Sequence, residues 1–237
     1  VVCLFFILMM IFFHIFGFSY HKKFNALAEE NYSYKIRAIG SNISLDRFYN
    51  NINPKSVIED LIKISDPNPD EKTIFVWPEG ILPYISQEEL NEYKWLLDKK
   101  FNENHLLIIG TNSRSLKKGS VKYYNSLSVF DNELYLLNTY NKINLVPFGE
   151  FLPFEKILKK IGLKTITNNY QSYSKGDKRD IIEINESNFS LKILPLICYE
   201  IIYSGKIFKN SNFNFIVNIS EDGWFGQSIG PKQHFVH

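Results

Sequence analysis

The sequence predicts a mixed, two-sheet α/β domain covered by helices and preceded by a membrane-spanning helix. Three observations predict it. An apolar segment of about twenty residues opens the chain. Short buried-strand runs then alternate with helical patterns, and paired hairpin-like runs appear midway. The 237 residues suffice for one large domain with its own core.

Residues 1–20, VVCLFFILMMIFFHIFGFSY, have only His14, Gly17 and Ser19 outside the apolar set, so a bilayer span is expected. Tyr20 falls where an interfacial aromatic belongs, followed by His21, Lys22 and Lys23. A cleaved signal peptide would open on charge and end on small residues, and this segment does neither. His14 is assigned no role, and two lysines do not fix the orientation. Residues 21–33 read as a linker to a domain over 34–237. A start at Val1 and a finish on GPKQHFVH read as a fragment, with the domain incomplete at its C-terminal end.

Within the domain, residues 34–44 alternate as a first strand, and 56–65 carry helical spacing. Residues 72–80 form a short buried strand stopped by Pro78 and Gly80. Ser86 with Glu89 three residues later opens a helix predicted over 86–101. Residues 105–112 read as a buried strand, and KYYNSLSVF and ELYLLNTY as a hairpin about Asp131-Asn132. DIIEIN, SLKILPLIC and NFNFIVNIS are three further strands. Residues 151–180 break this pattern: Phe154, Ile157, Leu158, Ile161 and Leu163 stripe a short basic helix, followed by a loop. Spacing alone favours a surface helix on the core over a membrane-contacting lid.

A net charge of +2, from 27 Lys+Arg against 25 Asp+Glu, gives no basic footprint for nucleic acid. Aromatic content of 16% suits a protein that touches lipid, although core packing absorbs part of it. Two cysteines make no disulfide framework. The absence of CxxC, HExxH or a histidine cluster gives no reason to expect a metal, and no glycine-rich loop suggests a phosphate cofactor.

Three residues sit just past apolar strands, where α/β folds gather reactive groups: Glu79, Lys142 and Cys198. Singly they read as a solvated carboxylate, a surface lysine and a core thiol. Together they form a coherent set. The thiolate is the nucleophile, a carboxylate can take the thiol proton, and an ammonium can stabilise the resulting oxyanion. No histidine holds a comparable position, since His234 lies at the end of the chain.

Glu79, Lys142 and Cys198, in that order, resemble the Glu-Lys-Cys triad of the nitrilase, or carbon–nitrogen hydrolase, superfamily. The flanking words WPEGILP, YNKINLVPFGEFLP, ICYE and GWFGQSIGPKQHF resemble its membrane-embedded apolipoprotein N-acyltransferase branch. The similarity runs from about residue 35 to the end of the chain, with LVPFGEFLP its most specific piece. The chain departs at SEDGWFG, where that branch usually reads Asn-Asp-Ala-Trp-Phe-Gly, so Glu221 and Gly223 differ, and at Lys232, where Trp is common.

The resemblance implies a nitrilase-like α-β-β-α sandwich of two mixed sheets. It implies transfer of a fatty acyl chain from a phospholipid to the N-terminal amine of a diacylglyceryl-modified apolipoprotein cysteine. It also implies a bacterial inner-membrane protein whose catalytic domain faces the periplasm, with Cys198 as nucleophile, Glu79 as base and Lys142 as oxyanion and thiolate stabiliser. Glu150 and Glu200 match supporting positions, and Tyr199 could shape the acyl pocket. Phe154, Leu158, Ile161 and Trp224 become candidates for substrate contact, and 151–180 a candidate lid. Two rivals stay open: a membrane-tethered amidase acting on a small amide, and an inactive membrane-anchored binding module.

Overall fold

The computed structural model describes residues 2–26, 32–50, 52–117, 119–154, 172–186, 188–203 and 212–232. The chain divides into two units, Val1–Ser33 and Tyr34–His237, each with its own contacts.

The first unit is helix α1, Val2–Asn25. At 1.5 Å per residue it is about 36 Å long, enough to cross a hydrocarbon core of about 30 Å. Its side chains are all exposed, and Phe12, Phe16 and Tyr20 stack along one face at successive turns. Lys22 and Lys23 lie in its last turn. The helix thus runs five residues past Tyr20, into the stretch expected to be linker. Among the described residues it is the one helix long and apolar enough to cross a membrane.

In the second unit, eight strands form two sheets among the described residues. The first has β1 (Lys35–Ala38), β2 (Thr73–Trp77), β3 (His105–Lys117), β4 (Ser120–Phe130) and β5 (Leu136–Asn141), hydrogen-bonded in that order. β1, β2 and β3 run parallel, and β3, β4 and β5 antiparallel. The second sheet has β6 (Ile182–Glu186) antiparallel to β7 (Phe189–Ile197), which is parallel to β8 (Phe215–Ile219). Both sheets are therefore mixed, as expected.

The period of two along each strand separates the layers. Phe75, Trp77, Leu107, Ile109 and Phe130 face one side of the first sheet, where α2 (Pro54–Ser65) covers them with Val57, Ile58, Leu61 and Ile62. Ile74, Leu106, Ile108, Leu127 and Val129 face the other side. There they meet Leu191, Ile193, Ile197, Val217 and Ile219 of the second sheet. Leu194 and Leu196 point out of the sandwich toward Ile181, Ile201 and Phe213. Helix α2 begins on Asn53, whose side chain accepts from Lys55 N, with Pro54 in its first turn, and it stops at left-handed Asp66. Trp77 Nε1 donates to Ser65 Oγ at 3.0 Å, so the largest core side chain leaves no orphan N–H.

Local expectations differ from the structure at four places. The first strand is four exposed residues and gives way to a 3-10 turn, Leu45–Phe48. The helix expected over 86–101 reduces to a 3-10 turn, Leu90–Tyr93, and short α3, Lys94–Leu97. Its start is diverted into the sheet margin: Ser86 bridges Asn112, and Gln87 N donates to Asn112 O at 2.7 Å. Half of the capping box survives, with Ser86 N donating to Glu89 Oε2. The β4–β5 turn takes residues 131–135, because Asp131 Oδ1 accepts from both Glu133 N and Tyr135 N. A tighter hairpin through Gly119 joins β3 to β4, giving β3 thirteen residues where eight were expected. Most of the striped segment, including Ile157, Leu158, Ile161 and Leu163, lies outside the described residues.

One glycine fixes the path of the chain after β2. A Cβ on Gly110 would fall 2.4 Å from Pro78 O and 2.5 Å from Glu79 Cα. Those are backbone atoms, so the chain would have to move. Gly110→Ala should therefore destabilise the domain by about 1–3 kcal/mol. Gly40→Ala, which meets nothing within 4 Å, should stay within about 0.5 kcal/mol. Equal melting temperatures for the two variants would contradict this.

Candidate active site

Glu79, Lys142 and Cys198 each follow the C-terminal end of a strand: β2, β5 and β7. The ladder directions make β2 and β5 parallel to one another, so Glu79 and Lys142 leave the first sheet at the same edge. All three residues line one cavity of about 280 Å³, together with Phe48, Asn112, Asn125, Glu150, Tyr173, Tyr199, Glu221, Trp224 and Phe225. All three are buried, contrary to what Glu79 and Lys142 suggest singly.

Lys142 is 1% exposed and is held by carboxylates rather than by water. Its Nζ donates to Glu150 Oε1 at 3.0 Å and to Glu79 Oε1 at 3.4 Å. Burial pushes its pKa down, but the charges of Glu79 and Glu150 outweigh burial and hold it above the ordinary lysine value. Its backbone is pinned too: Lys142 N donates to Asn125 O, and Lys142 O accepts from Gly176 N, both at 2.9 Å.

Asn125, absent from the residues singled out by sequence, joins the two carboxylates. Its Nδ2 donates to Glu79 Oε1 at 2.7 Å and to Glu150 Oε1 at 2.6 Å. An amide nitrogen carries two hydrogens, so it serves both. The signal was present in KYYNSLSVF, where Leu127 and Val129 face the core and Asn125 shares their parity. Glu150 also accepts from Val146 N at 2.8 Å. Glu79 Oε2 accepts from Glu221 N at 3.1 Å.

Cys198 opens the 3-10 turn Cys198–Ile202 with φ +53°. A side chain in the left-handed region costs about 1–3 kcal/mol and persists only where its surroundings over-determine it. Burial pushes the thiol up to about 12; the Glu79 carboxylate adds to this, while Lys142 and a hydrogen bond with Ser220 oppose it. The Cys198 side chain is therefore a neutral thiol.

Glu200 is fully buried and does not hold the Lys142 ammonium as Glu150 does. Its Oε1 accepts from Ile143 N and Asn144 N at 3.0 Å, and its Oε2 from Ile197 N at 3.0 Å. Tyr140 Oη donates to it at 2.9 Å, and Arg179 Nη2 pairs with it at 2.8 Å. One carboxylate thus ties the chain after Lys142 to the chain before Cys198. Burial and Glu200 together raise the Tyr140 pKa, keeping its proton in place as donor. Neither Tyr140 nor Arg179 carries a spacing signal in the sequence.

Of the substrate-contact candidates, Trp224 lines the cavity and packs on Phe48 with ring centroids 4.8 Å apart. Tyr199 lines it too, 5.9 Å from the Phe225 ring. Phe154 is 80% exposed and does not line the cavity. Leu158 and Ile161 lie outside the described residues.

The carbon–nitrogen hydrolase family model matches residues 71–237. An apolipoprotein N-acyltransferase of Brucella suis is 28% identical over 217 residues, covering 89% of this chain and 40% of the relative. One of Wigglesworthia glossinidia brevipalpis is 38% identical over 213 residues, covering 86% of this chain and 40% of the relative. The chain thus spans about two fifths of the length of these curated relatives. An amidase of the nitrilase superfamily from Nesterenkonia aligns at 11% identity and TM-score 0.44, covering 85% of this chain and 69% of that one. With the family match spanning every strand from β2 onward, and Glu79, Lys142 and Cys198 all inside it, the chain belongs to the carbon–nitrogen hydrolase family.

Proposed function

We propose that this chain carries the catalytic site of a membrane-bound apolipoprotein N-acyltransferase. It would move a fatty acyl chain from a phospholipid to the amine of a diacylglyceryl-modified N-terminal cysteine. The names of its relatives and the membrane-length helix support the reading. The domain would then face the periplasm from the inner membrane. One observation carries the chemistry: Lys142 stands between two carboxylates and lines one cavity with the Cys198 thiol.

That charge count sets the order of events. A thiolate at rest would be a third anion around one ammonium. The thiol proton therefore leaves as the sulfur attacks, and Glu79 takes it. Sγ of Cys198 bonds to the ester carbonyl carbon, and the carbonyl oxygen becomes an oxyanion facing Lys142. Collapse breaks the ester C–O bond, and the departing lysophospholipid oxygen takes the proton from Glu79. The neutral amine of the acceptor then attacks the thioester and gives its proton to Glu79. The sulfur leaves and recovers that proton as a thiol. Each half-reaction moves one proton between Glu79 and its partners and leaves the net charge unchanged. Splitting the transfer in two also spares the site from holding both lipids at once. The cavity lies at the small end for a ligand pocket, so it suits the reacting ester and adjoining chain rather than a whole phospholipid.

Three outcomes are expected. In the intact protein, Cys198→Ser should stay folded and form no hydroxylamine-sensitive adduct with labelled phospholipid. An adduct in the Ser variant would remove Cys198 from the mechanism, and release of ammonia from small amides without lysophospholipid would favour an amidase. Next, the Cys198-dependent thiolate absorbance should be missing at neutral pH and appear only well above pH 9, since the thiol lies near 12. Thiolate at pH 7 would mean a preformed ion pair instead. Finally, Glu200→Gln leaves Arg179 unpaired and turns an N–H toward backbone donors. A melt should register a loss of about 3–5 kcal/mol, the usual cost of breaking a buried pair, and an unchanged melting temperature would contradict the tie.

A further inference from the structure

Arg47 is 1% exposed, yet it carries a full charge and lies outside the triad. Four of the five N–H donors of its guanidinium are bonded. Nη1 donates to the carbonyls of Ile43 at 2.9 Å and Ser44 at 3.1 Å, and Nε to the carbonyl of Gly80 at 3.2 Å. Nη2 pairs with the Glu221 carboxylate. Gly80 directly follows Glu79 and has φ +58°; a Cβ there would fall 2.8 Å from the Phe48 ring, next door to Arg47.

Glu221 completes the circuit. Its N–H is the donor to Glu79 Oε2. Its second carboxylate oxygen accepts from Gly223 N at 2.9 Å, which opens the turn Asp222–Phe225 and brings Trp224 and Phe225 to the cavity. Trp224 rests on Phe48, whose ring also lies 4.6 Å from the Arg47 guanidinium. One buried cation therefore holds the chain leaving Glu79 and, through Glu221, the amide that fixes the far oxygen of Glu79.

We propose that Arg47 and Glu221 are a positioning pair that fixes the orientation of the Glu79 carboxylate toward Cys198. Without the Glu221 carboxylate the Arg47 charge would be buried unpaired, so the two residues act together. Arg47 is not among the cavity-lining residues, and Glu221 lines the cavity with its carboxylate paired to Arg47. It acts by holding both sides of the base, and it rests on the reading of Glu79 as the base for Cys198.

The test uses the intact protein in detergent and two rates per folded molecule: thioester formation from labelled phospholipid, and alkylation of Cys198 by iodoacetamide. Arg47→Met should slow both by about 10²-fold, the scale of a misplacement of about 1 Å. Glu221→Gln keeps the amide donor and can still accept from Arg47. It should slow both by about tenfold, since its one carbonyl oxygen cannot replace both carboxylate oxygens and an N–H turns toward Arg47 or Gly223 N. The double variant Arg47→Met/Glu221→Gln buries no lone charge. It should recover melting temperature relative to Arg47→Met without recovering either rate. Rates that follow melting temperature across the set, or wild-type rates in the double variant, would overturn the pairing and leave Arg47 a structural residue. If Arg47→Met does not fold, Glu221→Gln and the double variant decide by the same criteria. If the wild type alkylates in a Glu79-dependent way but forms no phospholipid thioester, the acyl-donor reading fails and the positioning pair stands. Alkylation unchanged in Glu79→Gln removes the base, and the pair with it.

Discussion

The structure around the site depends on one constraint: a buried ammonium must be neutralised where it sits. Lys142 is inside the protein, and taking its charge out of water is costly unless carboxylates stand beside it. Glu79 and Glu150 do so, and this couples three segments distant in sequence. The same arrangement over-supplies negative charge. Two carboxylates face one cation, and the Glu79 charge adds to burial in keeping Cys198 protonated. The raised pKa of Lys142 and the protonation of Cys198 thus both respond to where the carboxylates stand.

Around that centre, each acid has dedicated donors. Asn125 bridges Glu79 and Glu150, Val146 N holds the second oxygen of Glu150, and Glu221 N holds that of Glu79. Glu200, with Arg179 and Tyr140, does for the backbone what Asn125 does for the side chains, binding the loop after β5 to the end of β7. Both buried Arg–Glu pairs, Arg47–Glu221 and Arg179–Glu200, lie beside the triad rather than in it. Buried pairs are poor sources of net stability but severe when broken. Their placement here favours a role in geometry.

Strands were legible in the sequence because the two-residue period and the β-branched runs are local signals. Both mixed sheets, α2 and the apolar α1 follow from them. The helix expected over 86–101 was not, because Ser86 and Gln87 bond to Asn112, a partner 26 residues away from Ser86 that no local pattern encodes. That Glu79, Lys142 and Cys198 share one cavity was legible only from the three as a set. Each member looks ordinary alone, and its burial comes from tertiary packing. Asn125 could have been found as a polar residue on a core-facing parity. Arg47, Arg179 and Tyr140 could not, since their partners lie 174, 21 and 60 residues away.

The strained turn at Cys198 shows why the site needs this much support. A cysteine at φ +53° is unfavourable on its own, and a strand that ended there freely would relax. Two features prevent it. On the strand side, Ile193 and Ile197 lie in the core between the sheets, and β7 is paired with β8 from Ile193 to Ile197. On the turn side, Glu200 reaches back to Ile197 N and is itself fixed by Ile143 N, Asn144 N, Tyr140 and Arg179. The residue between is left with one conformation, which places its sulfur in the cavity that Glu79 and Lys142 also line. The groups that set the backbone of Cys198 are bonded to the segment that carries Lys142, because Glu200 accepts from Ile197 N on one side and from Ile143 N and Asn144 N on the other. A shift in one strand end would therefore strain its bonds to the other.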